Sequence, residues 1–149
     1  MTSKNTIQDF ISLPTLAVVG VSRGGKKFGN MAYRELKAKG YKLFPIHPEA
    51  ETLEGDRAYK DLASLPEKVD GVLVVVPPDR TEAVVREAAK AGIFRVWMQQ
   101  GAESQAAIQF CKENGITEVH GECIMMYAGK AGFHKFHHWV WKLIGKSPR

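Results

Sequence analysis

Five short apolar runs, separated by stretches of helical periodicity, constrain this chain more than any other feature. They read TLAVVGV (15–21), KLFPI (42–46), GVLVVV (71–76), FRVWM (94–98) and ITEVH (116–120). Between them, 30–39, 80–91 and 104–114 place apolar residues on one helical face, with Gly40, Gly92 and Gly115 where a helix ends. Ser104 stands at a helix-capping position, and 61–65 suits a short helical turn. Strands that alternate with helices cannot be joined by hairpins. They pair in parallel through right-handed crossovers. The run at 71–76 has almost no polar residue, as a strand covered on both faces requires. The expectation is an α/β, Rossmann-like three-layer fold with a five-stranded parallel sheet. Residues 1–14 would be a peripheral segment, 15–131 the domain, and 132–149 an amphipathic helix and tail.

The chain's 149 residues suffice for one core and are too few for two. No apolar run approaches the roughly 20 residues that span a bilayer, and MTSKNTIQDFISLP lacks the basic start of a secretory signal. A cytoplasmic address is expected. Cys111 and Cys123 fit reduced thiols better than a disulfide framework or a zinc site. The net charge of +5 favours an anionic ligand, while no nucleic-acid module is recognisable. His134, His137 and His138 share one helical face, but no nearby carboxylate or cysteine completes a metal site, so a solvated face is expected. Phe133, Phe136, Val140, Leu143 and Ile144 form an apolar stripe suited to docking on the domain or to a homodimer contact. Membrane attachment is disfavoured because that helix is short and carries few charges.

VVGVSRGGKKFGN (18–30) admits two readings. Gly20-Val21-Ser22-Arg23-Gly24 spells the G-x-S-x-G of a hydrolase elbow, with Asp79 and His120 in the right chain order. Against this, the motif follows the first strand, an open Arg-Gly-Gly-Lys-Lys loop comes next, and no His-Gly-Gly oxyanion motif precedes it. The alternative is an anion cradle in the first strand-to-helix turn of a doubly wound sheet. Gly20 would allow the tight turn and Ser22 would donate a hydroxyl. Gly29 and Asn30 would open a helix whose amides face the anion, and Arg23, Lys26 and Lys27 would add charge. A dinucleotide site would want a second glycine at Ser22 and a carboxylate closing the second strand; that strand ends Pro45-Ile46-His47-Pro48. A Walker A loop is also absent.

With VVGVS…GN (18–30), GYKLFPIHP (40–48), LEGDRAYKDLASLPEKVDGVLVVVPP (53–78), WMQQGAES (97–104) and GI…GEC (115–123) in this order, the chain resembles the stand-alone CoA-binding domain proteins. These are similar to the N-terminal domain of the succinyl-CoA synthetase alpha subunit. The resemblance implies coenzyme A or an acyl-CoA as ligand. It gives Gly20, Ser22, Arg23, Gly29 and Asn30 to the phosphates, and Pro45, His47 and Pro48 to the adenosine side, with His47 where the family usually has Asn. Val76, Pro77 and Pro78 would form the opposing wall, and Gln100 and Gly101 would lie towards the pantetheine. It also implies a binding module without ligase chemistry, because no phosphohistidine domain follows. CoA brings roughly four negative charges near neutral pH, which suits Arg23, Lys26 and Lys27.

Cys123 follows the fifth strand and is a candidate thiol contact; its bland alternative is a small buried residue. The expectation is therefore a non-enzymatic CoA-binding protein. A small thioesterase or transferase using Ser22 or Cys123, and a module for another nucleotide, are the alternatives.

Overall fold

The computed structural model describes residues 3–128. The strands are β1 (Thr15–Val19), β2 (Lys42–Ile46), a two-residue pair β3 (Thr52–Leu53) and β4 (Asp56–Arg57), then β5 (Gly71–Val74), β6 (Arg95–Gln99) and β7 (Thr117–Glu122). The helices are α1 (Lys4–Ile11), α2 (Phe28–Ala38), α3 (Pro78–Lys90) and α4 (Gln105–Glu113). Five strands form one parallel sheet in the order β2-β1-β5-β6-β7. The expected Rossmann-like fold is therefore present, with each strand within about two residues of its expected ends.

Side-chain alternation along β1 divides the core into two layers. Leu16 and Val18 point to the face shared with Tyr33 and Leu36 of α2. Ala17 points to the other face, with Val85 and Ala88 of α3 and Ala107 and Cys111 of α4. Ser104 caps α4 as expected, accepting from the Ala107 amide at 3.1 Å. The 61–65 turn is a short 3₁₀ segment, Leu62–Ser64, whose Asp61 carboxylate accepts from the Ser64 amide.

The segment expected to be peripheral contributes to the core. Ser3 caps α1, and Ile7, Phe10 and Ile11 recur at helical spacing and are buried. Phe10 packs on Trp97 with ring centroids 5.5 Å apart. Room for it comes from Gly71, where a side-chain carbon would collide with Phe10 and Leu13. Arg95 and Asp9 pair across the same contact at 2.8 Å.

The β3–β4 hairpin was not among the expected elements. Its turn, Glu54-Gly55, has positive φ at both residues (51° and 82°), the geometry of a type I′ hairpin. The chain then runs along the outer side of β2, where the Tyr59 amide donates to the Pro45 carbonyl and the His47 amide donates to the Tyr59 carbonyl, both at 2.9 Å. Pro45 lies on an edge strand with its nitrogen on that outer side, so its missing N–H removes no bond from the sheet. The expected helix at 132–144, with its histidines and apolar stripe, lies outside the described residues. Among the described residues, no helix is long and apolar enough to cross a membrane.

Candidate functional site

The strand order places a topological switch beside β1. The chain leaves β1 for β2 on one side and returns to β5 on the other, so the loops after β1 and β5 diverge and open a crevice at the carboxyl end of the sheet. The residues that the resemblance assigns to the ligand follow the carboxyl ends of the strands. Gly20 through Asn30 follow β1, Pro45, His47 and Pro48 finish β2, and Val76, Pro77 and Pro78 join β5 to α3. Gln100 and Gly101 follow β6, and Cys123 follows β7.

Two glycines of the first turn are fixed by close approach. Gly20 has φ 127°, and a side-chain carbon there would strike the Val75 carbonyl. One on Gly29 would strike the Gly20 carbonyl, so α2 starts directly against the end of β1. Gly24 and Gly25 meet open space.

Asn30, fully buried, braces the turn. Its Oδ1 accepts from the Ser22 amide at 3.0 Å and from the Ser22 hydroxyl at 2.7 Å. Its Nδ2 donates to the Ser22 carbonyl at 2.8 Å and to Glu54 Oε2 at 2.7 Å. All four hydrogen-bonding positions of the amide are thereby used. The Ser22 proton is directed at an amide oxygen, which cannot act as a general base, and the arrangement suits a structural hydroxyl rather than an attacking one.

Glu54 was missed in the sequence. It comes from the hairpin turn, and its Oε2 also accepts from Arg34 at 2.8 Å. The Asn30 amide and then the Arg34 guanidinium hold its carboxyl below the ordinary range, against the opposing effect of burial. Glu54 thus ties β3–β4 to the first turn.

The remaining charges are exposed. Arg23 pairs with Glu49 at 3.1 Å, both side chains well in solvent. Such a pair contributes about 0–1 kcal/mol, so a stronger anion can displace the carboxylate. Lys26 and Lys27 form no ion pair among the described residues. No side chain caps the first turn of α2; its Asn30 amide turns back to the Lys27 carbonyl at 3.0 Å, and the amides of Phe28 and Gly29 come before it at the helix start.

His47 faces its own loop. Its Nδ1 accepts from the amides of Glu49 and Ala50, each at 3.0 Å, which places the ring proton on Nε2. An Asn side-chain oxygen makes the same kind of turn, so the imidazole here holds its loop as an Asn could.

A cleft of about 410 Å³ opens at the same end of the sheet, bordered by Phe28, Val75, Val76, Gln99, Gln100, Gly101, Ala102 and Cys123. It begins at the first residue of α2, crosses the ends of β5 and β6 and reaches Cys123. Val76, Gln100, Gly101 and Cys123 are thus brought together as the sequence suggested. Phe28 and Gln99 were missed, because only the strand order shows that residues so far apart in the chain are neighbours. Cys111 is fully buried, and desolvation first and the Glu118 charge second push its thiol up to about 12. A second hollow of about 310 Å³, lined by Lys37, Lys42, Phe44, Asp56 and Tyr59 among others, lies beside β2 and β4, away from the switch point. Among the described residues, no group of three His, Cys, Asp or Glu side chains could hold a metal ion.

A family model described as a CoA binding domain matches residues 14–128. Among curated proteins, the chain is 32% identical over 79 residues to the alpha subunit of ADP-forming acetate–CoA ligase II from Pyrococcus furiosus, covering 52% of this chain and 17% of that protein. It is 28% identical over 109 residues to the uncharacterized protein YneT of Bacillus subtilis, covering 73% and 81%. Among solved structures, a conserved hypothetical protein from Pyrococcus furiosus superimposes with a TM-score of 0.71 at 36% identity, covering 75% of this chain and 97% of that one. The chain thus spans under a fifth of the ligase subunit's length but most of the two small relatives.

Proposed function

The chain belongs to the CoA-binding domain family, and we propose that it binds coenzyme A or an acyl-CoA reversibly, without catalysing a ligase reaction of its own. The observation that carries this reading is the cleft that starts at Phe28, the first residue of the helix to which the braced turn leads, and runs across the ends of β5 and β6 to Cys123. CoA has the matching sequence of parts: a phosphorylated nucleotide, a slender amide-bearing arm and a terminal thiol.

In this reading the phosphates lie against the α2 amides, with Arg23, Lys26 and Lys27 supplying charge-assisted hydrogen bonds. The Ser22 hydroxyl, expected to donate to the anion, gives its proton to Asn30 instead and serves to brace the turn. The adenosine lies towards Pro45, His47 and Pro48, and Val76, Pro77 and Pro78 wall the opposite side. The pantetheine arm lies along Val75, Val76 and Gly101, where apolar atoms border its methyl groups and Gln100 can answer its amides. Binding alone is assigned because the crevice supports binding and the Ser22 hydroxyl is held by an amide oxygen.

Calorimetry with CoA, dephospho-CoA, NAD and ATP tests the assignment. CoA is expected to bind most tightly, with dephospho-CoA weaker through the loss of its 3′-phosphate. Binding of NAD without binding of CoA would refute the reading.

A further inference from the structure

We infer that Cys123 is a covalent capture site for CoA in its disulfide form, so that the cleft can hold CoA as a protein-bound mixed disulfide. The inference rests on the assignment of the crevice to CoA. It draws on two independent features of the far end of the cleft.

The first is the selectivity between the two thiols. Cys111 is fully buried and its thiol is held protonated, whereas Cys123 is partly exposed and borders the cleft. A disulfide reagent entering from the crevice meets Cys123 and has no path to Cys111. The second is Gln99, which borders the same cleft and is 5% exposed. Its Oε1 accepts from the Ile124 amide at 3.0 Å, fixing the residue just after Cys123. Its Nε2 has no hydrogen-bond partner among the described residues. A buried amide N–H₂ left unsatisfied carries a desolvation penalty, so the site is better satisfied with an acceptor present. The carbonyl nearest the thiol end of a pantetheine arm is such an acceptor, and it would hold the sulfur beside Cys123.

The step is thiol–disulfide exchange. The Cys123 thiolate, its proton released to water, attacks one sulfur of a CoA disulfide. The sulfur–sulfur bond of the reagent breaks and one between Cys123 and CoA forms. The second CoA leaves as a thiolate and takes a proton from water. No net oxidant is consumed beyond the disulfide itself, and a reducing thiol reverses the step by the same exchange.

The protein incubated with CoA disulfide should gain the mass of one CoA less two hydrogens, and dithiothreitol should remove it. Binding in the crevice raises the local concentration, so the reaction should run on the order of tenfold or more faster than with glutathione disulfide. The adduct should be lost in Cys123→Ser and retained in Cys111→Ser. An adduct on Cys111, no adduct at all, or equal rates with the two disulfides would overturn the inference. Calorimetry of Cys123→Ser with reduced CoA separates the two levels: binding without wild-type adduct formation sinks the capture site alone, and failure of the variant and the wild type to bind sinks the crevice assignment as well.

Discussion

The two ends of the crevice are built on opposite plans. At the turn after β1, Asn30 fills every hydrogen-bonding position it has, Gly20 and Gly29 are pressed against carbonyls, and a carboxylate from the distant β3–β4 hairpin is locked into the same cluster. At the ends of β6 and β7, Gln99 keeps an unused N–H₂, Gln100 is exposed, and Cys123 is unpaired with any other sulfur. The first end is braced before any ligand arrives, which lowers the ordering cost of whatever docks against it. The second leaves bonding capacity for whatever reaches it. The difference suits a ligand whose charged head is constant and whose far end varies.

Substitutions can break or sharpen this contrast. The largest effect is expected from Gly20→Ala, which meets both the Val75 carbonyl and a backbone angle hostile to a side chain. It should destabilise the fold by about 3 kcal/mol or more and abolish CoA binding, as read by thermal unfolding and calorimetry. Next is Asn30→Ala, which strips partners from the Ser22 main chain and from Glu54. A loss of about 2–4 kcal/mol with at least a tenfold fall in CoA affinity is expected. The contrast would fail if Asn30→Ala proved no more damaging to unfolding than Gln100→Ala, which should stay within about 0.5 kcal/mol of the parent.

His47→Ala should cost about 1 kcal/mol by releasing two loop amides, whereas His47→Asn should recover most of it. Equal unfolding midpoints for the two variants would show that the imidazole does not act as a turn brace. The smallest effect concerns acid. Glu54 has a depressed carboxyl, so its contribution is complete above the ordinary glutamate range, about 4 to 4.5, and is lost as pH falls through its lower folded value. Glu54→Gln should flatten the stability profile over that acid window, measured by denaturant unfolding at stepped pH.

The sheet was legible in the sequence because buried parallel strands leave uninterrupted apolar runs, and 71–76 is the plainest of them. Helix ends were legible where Gly40, Gly92, Gly115 and Ser104 marked them. The hairpin was not, since Glu54 occupies a position that glycine, Asn or Asp normally advertises. Nor was the burial of α1, whose partners Gly71 and Trp97 lie far along the chain and reveal nothing locally. In the candidate site, the first turn could be read from its glycines and its Ser22, yet the bonds that brace it could not. Asn30 reads as an ordinary helix residue until Glu54 is folded against it. Gln99 and Phe28 become neighbours of Cys123 and Val75 only through strand order.

Pro45 has a consequence for how copies of this chain can meet. With no donor at that position, and with Tyr59 already hydrogen-bonded along the flank of β2, another strand cannot zip onto this border of the sheet. Any enlargement of the sheet between molecules, ordered or pathological, is therefore steered to the opposite margin, where β7 is the outermost described strand.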